Sequence, residues 1–291
     1  MADRSKISWT DATWNPVTGC TSVSAGCDHC YAKRMAERFP QVHGVDERLI
    51  GFGNEIESEF TPRPFSQIKF HPDRLDIPLR WKKPRRIFVC SMGDLFHEDA
   101  KDEWIGDVFR VMEVARRHTF MLLTKRPERM KDFIDKGMDH CGRMYSSNIW
   151  IGVTAENQAA AYERIPVLLQ TPAEKRFVSV EPMLGPVDLA RGIPTEWYHY
   201  IPRNPRPSLD WVICGGESGP GARPMHPGWT RSLRDQCRAA GVPFFFKQWG
   251  EFAPCERWVP GSVNLGDVSM MRVGKKAAGS LLDGREWTEI P

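Results

Sequence analysis

IFVCSM (87–92), FMLLTK (120–125), IWIGVTAE (149–156), RFVSVEPM (176–183), DWVICGGES (210–218) and PFFFKQWGE (243–251) are short apolar runs rich in β-branched and aromatic residues. Amphipathic stretches separate them: 103–116 places Trp104, Val108, Met112 and Ala115 on one helical face, and 229–240 does the same with Trp229, Leu233, Cys237 and Ala240. Strands alternating with helices predict a parallel sheet with crossover helices. ATWNPV (12–17), and QIKF (67–70) as a further candidate, bring the count to seven or eight strands. The expectation is an α/β fold, a (β/α) barrel, complete or partial, of six to eight parallel strands; an open doubly wound sheet is the alternative.

Each run ends on polar or glycine positions: Ser91 and Asp94, Thr124 and Lys125, Glu156, Glu181, Gly215 to Ser218, Lys247 and Gln248. In parallel α/β folds functional groups collect at the carboxyl ends of strands, so these residues are expected on one face. Residues 40–66 show no period and read as an insertion loop. Asp283-Gly284 is a two-residue hairpin turn signal. We divide the chain into a barrel domain, 1–255, and a small C-terminal appendage, 256–291.

Composition narrows the class. The 291 residues, 41% hydrophobic, suffice for one sizeable core, and a net charge of +3 demands no polyanionic partner by itself. No run of about 18 apolar residues occurs, and the MADRSKISWTD start lacks a secretory pattern, so no membrane association and a cytoplasmic location are expected. In a reducing compartment the eight cysteines are free for metal binding or chemistry.

Three of them carry the argument. In WNPVTGCTSVSAGCDHCYAKRMAERF, Cys20, Cys27 and Cys30 follow a C-x6-C-x2-C spacing and run straight into a helix-forming stretch, with Gly19 and Gly26 freeing the backbone before two of them. Three thiolates on one loop can hold three irons of a cubane cluster and leave the fourth open. The competing reading is structural zinc completed by His29 or a distant cysteine, since C-x2-C is also a zinc half-site. Cys90 and Cys237 read as core, and Cys141 and Cys255 as loop residues.

NPVTGC…GCDHCYAKRM resembles the cysteine loop of the radical S-adenosylmethionine superfamily, with three more residues between Cys20 and Cys27 than the common spacing has. SMGDLFHE, LLTKRPERM, VSVEPMLGPVDL, CGGESGPGARPMHP and FFFKQWGE are similar to a phage- and prophage-associated three-Cys-motif family of unknown function. The resemblance implies a [4Fe-4S] cluster on Cys20, Cys27 and Cys30 and S-adenosylmethionine on the open iron. It implies an enzyme forming a 5′-deoxyadenosyl radical, fed by a small electron donor protein of flavodoxin or ferredoxin type. By the same resemblance Tyr31 takes the aromatic position near the adenine, and Ser91 and Asp94 a strand end that contacts the cofactor.

Lys125 is a cation placed to pair with the cofactor carboxylate. The glycines of CGGES (Gly215, Gly216) allow close backbone approach, although the string lies too late in the chain to be the superfamily's own Gly-Gly-Glu element. Candidates for binding, acid–base or hydrogen-donor work are Glu181, Glu217 and Cys214. For two of them a structural alternative stands: an ion pair from Glu181 to an arginine such as Arg223, and a buried thiol at Cys214. RWKKPRR (80–86) sets five cations beside Trp81 and makes nucleic acid a further partner or substrate. Two other functions compete: a non-catalytic zinc- or cluster-binding module for nucleic acid or a partner protein, and a metal hydrolase built on Glu181 and Glu217.

Overall fold

The computed structural model describes residues 5–43, 45–52, 55–137, 147–189, 209–255 and 258–291, with backbone alone at 42, 45–52, 55–60 and 62. Cys141 lies outside these residues. The chain divides into two compact units, 1–23 with 30–120, and 24–29 with 121–291.

The first unit runs β1 (Ala12–Trp14), β2 (Val17–Thr18), α1 (Tyr31–Arg38), α2 (Pro40–His43), β3 (Val45–Phe52), β4 (Glu55–Pro62), β5 (Lys69–Phe70), α3 (Ile77–Arg80), β6 (Arg86–Val89), α4 (Asp102–Val114) and the start of β7 (Thr119–Thr124). The second continues with α5 (Pro127–Gly137), β8 (Ile149–Thr154), α6 (Gln158–Gln170), β9 (Lys175–Val180), β10 (Trp211–Gly215), α7 (Pro227–Ala240), β11 (Phe244–Gln248), β12 (Phe252–Cys255), β13 (Val263–Asn264), β14 (Ser269–Arg272) and α8 (Lys275–Ala278).

Seven strands pair in the order β1-β6-β7-β8-β9-β10-β11. The count falls within the expected range, and among the described residues the order has two ends, so the fold is a partial (β/α) barrel. β8 and β10 are buried at every position, as strands covered on both faces must be. Gly152 of β8 lies opposite Phe177 of β9, and a Cβ there would come 2.7 Å from the Phe177 ring. The bare backbone lets the ring lie flat across the sheet. Trp211 completes this cluster with ring contacts to Trp150, Phe177 and Phe245.

The helices follow the apolar periods with small shifts. α4 buries Ile105, Val108, Phe109 and Met112, whereas Trp104, expected on that face, stacks on Phe70 with ring centroids 5.4 Å apart. α7 buries Pro227, Thr230, Leu233 and Cys237 and ends on Gly241 in the left-handed conformation, φ 67°.

Three expectations are corrected. QIKF adds no barrel strand: Lys69–Phe70 pairs antiparallel with Val17–Thr18. ATWNPV therefore serves two sheets, because Asn15 and Pro16 interrupt it. Residues 40–66 are no plain loop: β3 and β4 form an antiparallel ladder from Val45↔Pro62 to Phe52↔Glu55. Their sequence lacks the apolar alternation that marks a strand with one buried face.

The Asp283-Gly284 turn is present, with φ 54° and 73° and Leu282 and Arg285 bonded across it. The segment it opens lies along β11, where Phe246 N–H donates to the Trp287 carbonyl and Trp211 Nε1 to the Glu289 carbonyl, both at 2.8 Å. No described helix is long and apolar enough to cross a membrane.

Candidate functional site

In the first unit the chain leaves β2 through Gly19, whose N–H donates to the Met92 carbonyl at 3.0 Å; its φ of 96° suits glycine alone. Cys20 N–H donates to the Phe65 carbonyl at 2.9 Å, and Cys20 and Cys30 pack on Ala32, Ala36, Phe65 and Met92. Three buried histidines hold the residues beside Cys20. His43 Nε2 faces the Pro64 carbonyl at 2.9 Å and must donate there, so its Nδ1 accepts the Thr18 hydroxyl proton at 2.9 Å. His71 Nε2–H then donates to Thr18 Oγ1 at 2.8 Å. His97 Nδ1 accepts from Asp99 N–H, leaving its Nε2–H for Thr21 Oγ1 at 2.8 Å. Burial first, and the Arg74 charge second, push the His71 imidazole down to about 3, so it stays neutral as this network requires.

Asn15 Oδ1 accepts from Met92 N–H at 2.9 Å and from the Ser91 hydroxyl at 3.2 Å, while the Tyr31 hydroxyl donates to the Ser91 carbonyl. Tyr31 and Ser91 are therefore brought together. Asp94 is buried and accepts from Phe96 N–H at 3.0 Å, closing a local turn well before α4 begins.

In the second unit, residues 24–29 carry Cys27 at the end of a single tight turn, Cys27 N–H donating to the Ser24 carbonyl at 2.8 Å. Two strand ends grip this segment. After β8, Glu156 pairs with Arg164 at 3.0 Å, the two side chains 1% and 2% exposed. Burial acts to raise the Glu156 carboxyl; a hydrogen bond from Ser24 and the Arg164 charge outweigh it and hold it low. A Cβ on Gly26 would stand 3.1 Å from the Glu156 carboxyl carbon.

After β10, Glu217 Oε2 faces His29 Nδ1 at 3.1 Å, and Arg223 pairs with Glu217 while reaching Asp28 at 3.1 Å and the Ala25 carbonyl at 2.8 Å. The Glu217 carboxyl is likewise held low, burial opposing and the Arg223 hydrogen bonds prevailing. The arginine expected beside Glu181 thus belongs to Glu217. Glu181 pairs instead with Lys247 Nζ at 3.0 Å and accepts from the Ser179 hydroxyl at 3.3 Å.

The remaining candidates separate. Gly215 makes room for Glu181, since a Cβ would lie 2.6 Å from Oε1, and Gly216 for the Trp249 carbonyl, at 1.9 Å. The Lys125 charge acts on Glu156. Cys214 is fully buried, its thiol donating to Met183 Sδ at 3.6 Å and bonded to Thr230 of α7. Burial raises that thiol well above its ordinary value and pushes Cys90 and Cys237 to about 12. Cys20, Cys27 and Cys30 are half-buried and unbridged. Among the described residues no three His, Cys, Asp or Glu side chains form a group ready for a single ion.

Arg164, the three histidines and Lys247 carry no motif that marks them. Glu156 and Lys247 stood out only as strand ends, and His29 only as a zinc ligand.

The profile of the family described as "Protein of unknown function (DUF5131)" matches residues 4–291. The chain belongs to the DUF5131 family. No curated protein matches this DUF5131 member. Among solved structures, it is similar to a cysteine-to-serine mutant of spore photoproduct lyase, with 13% identity over 93% of this chain and 71% of that one and a TM-score of 0.43.

Proposed function

We propose that this DUF5131 protein is a radical S-adenosylmethionine-type enzyme, with a [4Fe-4S] cluster on Cys20, Cys27 and Cys30. The observation that carries the reading is the contrast among its thiols. Three half-buried, unbridged cysteines share one eleven-residue loop, whereas burial keeps Cys90, Cys214 and Cys237 protonated. Three accessible sulfurs on one loop can hold three irons of a cluster and leave one iron for the cofactor. When bound, cluster and cofactor supply one-electron cleavage of the sulfonium, giving a 5′-deoxyadenosyl radical for hydrogen abstraction, with the electron drawn from a flavodoxin- or ferredoxin-type donor.

The chain's own part is positioning. Tyr31 has its hydroxyl engaged by Ser91 while its ring stays half exposed at the start of α1, a surface for an adenine. The Glu181–Lys247 pair offers an anion to an ammonium group and a cation to a carboxylate, and Lys125 offers a further cation. Glu217 spends both oxygens on Arg223 and His29, so we assign it to holding residues 24–29 rather than to proton transfer.

A second reading has one observation in its favour. A metal-ligating histidine commonly gives its other nitrogen to a carboxylate, as His29 does to Glu217, which suits a zinc site of three cysteines and His29. Metal and sulfide analysis of anaerobically prepared protein, with electron paramagnetic resonance before and after S-adenosylmethionine, separates the two. About four irons per chain and a spectrum altered by the cofactor support the enzyme; stoichiometric zinc without iron after anaerobic reconstitution overturns it.

A further inference from the structure

Two turns at the amino ends of neighbouring strands in the first unit collect cations that lie 30 residues apart in sequence. Residues 80–86 lead into β6 and 116–118 into β7, and Thr119 N–H donates to the Arg85 carbonyl at 2.8 Å, so the turns lie side by side. Trp81 joins them: the Arg85 guanidinium lies 4.6 Å from its ring centroid, and His118 meets the ring edge-on at 6.0 Å. His118 is buried, with Nε2 donating to the Pro78 carbonyl at 3.0 Å.

Arg80, Lys82, Lys83, Arg85, Arg86, Arg116 and Arg117 supply seven positive charges. Asp76 pairs with Arg80 and Asp11 with Arg86, and Glu113 lies near the end of α4, four residues before Arg117. Seven cations against three carboxylates leave an excess of four, more than the +3 of the whole chain. Lys82, Lys83, Arg116 and Arg117 are exposed.

We propose that this face docks the phosphodiester backbone of a nucleic acid. Two pairs of exposed cations on turns joined by a backbone hydrogen bond match a ligand that carries one negative charge at every phosphate. An acidic protein surface, with both signs interspersed, makes a poorer match. Ser91 and Asp94 follow the opposite, carboxyl end of β6, so backbone docking leaves the candidate site free. The proposal involves no thiol and does not depend on the radical reading.

The test uses the full chain and labelled single- and double-stranded DNA of about 20 nucleotides, with fluorescence anisotropy from 50 to 200 mM salt. Binding at 50 mM is expected, its logarithm falling linearly with that of salt by about 0.7–0.9 per phosphate contact. K82A/R117A should weaken binding about tenfold and lower that slope by one to two units, whereas the charge-matched K131A/K136A on α5 should change neither. Melting temperatures confirm that both variants fold. No binding at 50 mM, equal losses in the two variants, or equal affinity for polyglutamate would each overturn the proposal.

Discussion

Arg223 wraps Glu217 from two sides: its backbone N–H and Nε donate to Oε2 at 2.9 Å, and Nη2 donates to Oε1 at 2.8 Å. The same guanidinium reaches Asp28 and the Ala25 carbonyl, so one side chain ties the end of β10 to the segment that carries Cys27.

Arg223→Ala should therefore loosen residues 24–29 before it loosens the sheet. It leaves the nearly buried Glu217 short of its strongest donors, and urea denaturation should register a loss of about 1–3 kcal/mol. Peptide mapping after alkylation of metal-free protein should show Cys27 reacting faster while Cys90 and Cys237 stay protected. Arg223→Lys should rescue little, because an ammonium cannot span Glu217 and Asp28 together. An unchanged Cys27 rate in Arg223→Ala would remove the clamp from the account.

The Glu156–Arg164 pair is buried on both sides, so its two halves are unequal to its whole. Glu156→Gln strands a guanidinium in the core and should cost about 3–5 kcal/mol, whereas the double variant E156Q/R164M should recover a good part of that. Since Glu156 titrates lower folded than unfolded, its contribution is present above the ordinary carboxylate range and lost as pH falls through the folded value. Denaturant midpoints of wild type and Glu156→Gln should converge in acid.

His71 gives a second acid limb with a different window. Its folded value near 3 lies below the unfolded 6.5, so its contribution is full above pH 6.5 and is lost as pH falls toward 3. The slope is at most about 1.4 kcal/mol per pH unit. Thr18→Val removes the hydroxyl that serves both His43 and His71 and should cost about 2–4 kcal/mol by leaving two buried ring nitrogens without partners. A Thr18→Val protein as stable as wild type would show that the histidines do not depend on that link.

Two glycines should respond in opposite directions. Gly216→Ala drives a methyl to 1.9 Å from the Trp249 carbonyl and should cost about 3 kcal/mol or more. Gly106, inside α4 with nothing within 4 Å of its Cβ position, should gain about 0.5–1 kcal/mol as alanine. Thermal melts of the two variants check both signs.

The strands of the main sheet were legible because IFVC, FMLLT, IWIGVT and WVICG are continuous apolar runs, the pattern of strands buried on both faces. QIKF misled because four residues of alternating character fit an edge ladder as well as a barrel strand, and β3–β4 stayed hidden because residues 40–66 mix glycine with acidic and aromatic residues in no regular period. Among the candidate residues, the three cysteines drew notice by their spacing. Arg164 did not, since a charge in the middle of QAAAYERIPVLLQ reads as solvated surface until Glu156 is seen beneath it. Glu217 drew notice as a reactive group, yet its partners sit 6 residues ahead at Arg223 and 188 behind at His29, and no local pattern encodes the latter.

The segment after the Asp283-Gly284 turn gives β11 a neighbour beyond the last strand of the sheet, with Phe245 and Thr288 bridged and Glu289 held by Trp211 and Phe244. An uncovered edge of FFFKQ would be an invitation to strand addition by another copy. A few residues at the end of the chain thus cover this edge: cutting before Leu281 would bare FFFKQ to pairing with another copy, although the three-cysteine loop lies about 250 residues away in sequence and keeps every residue.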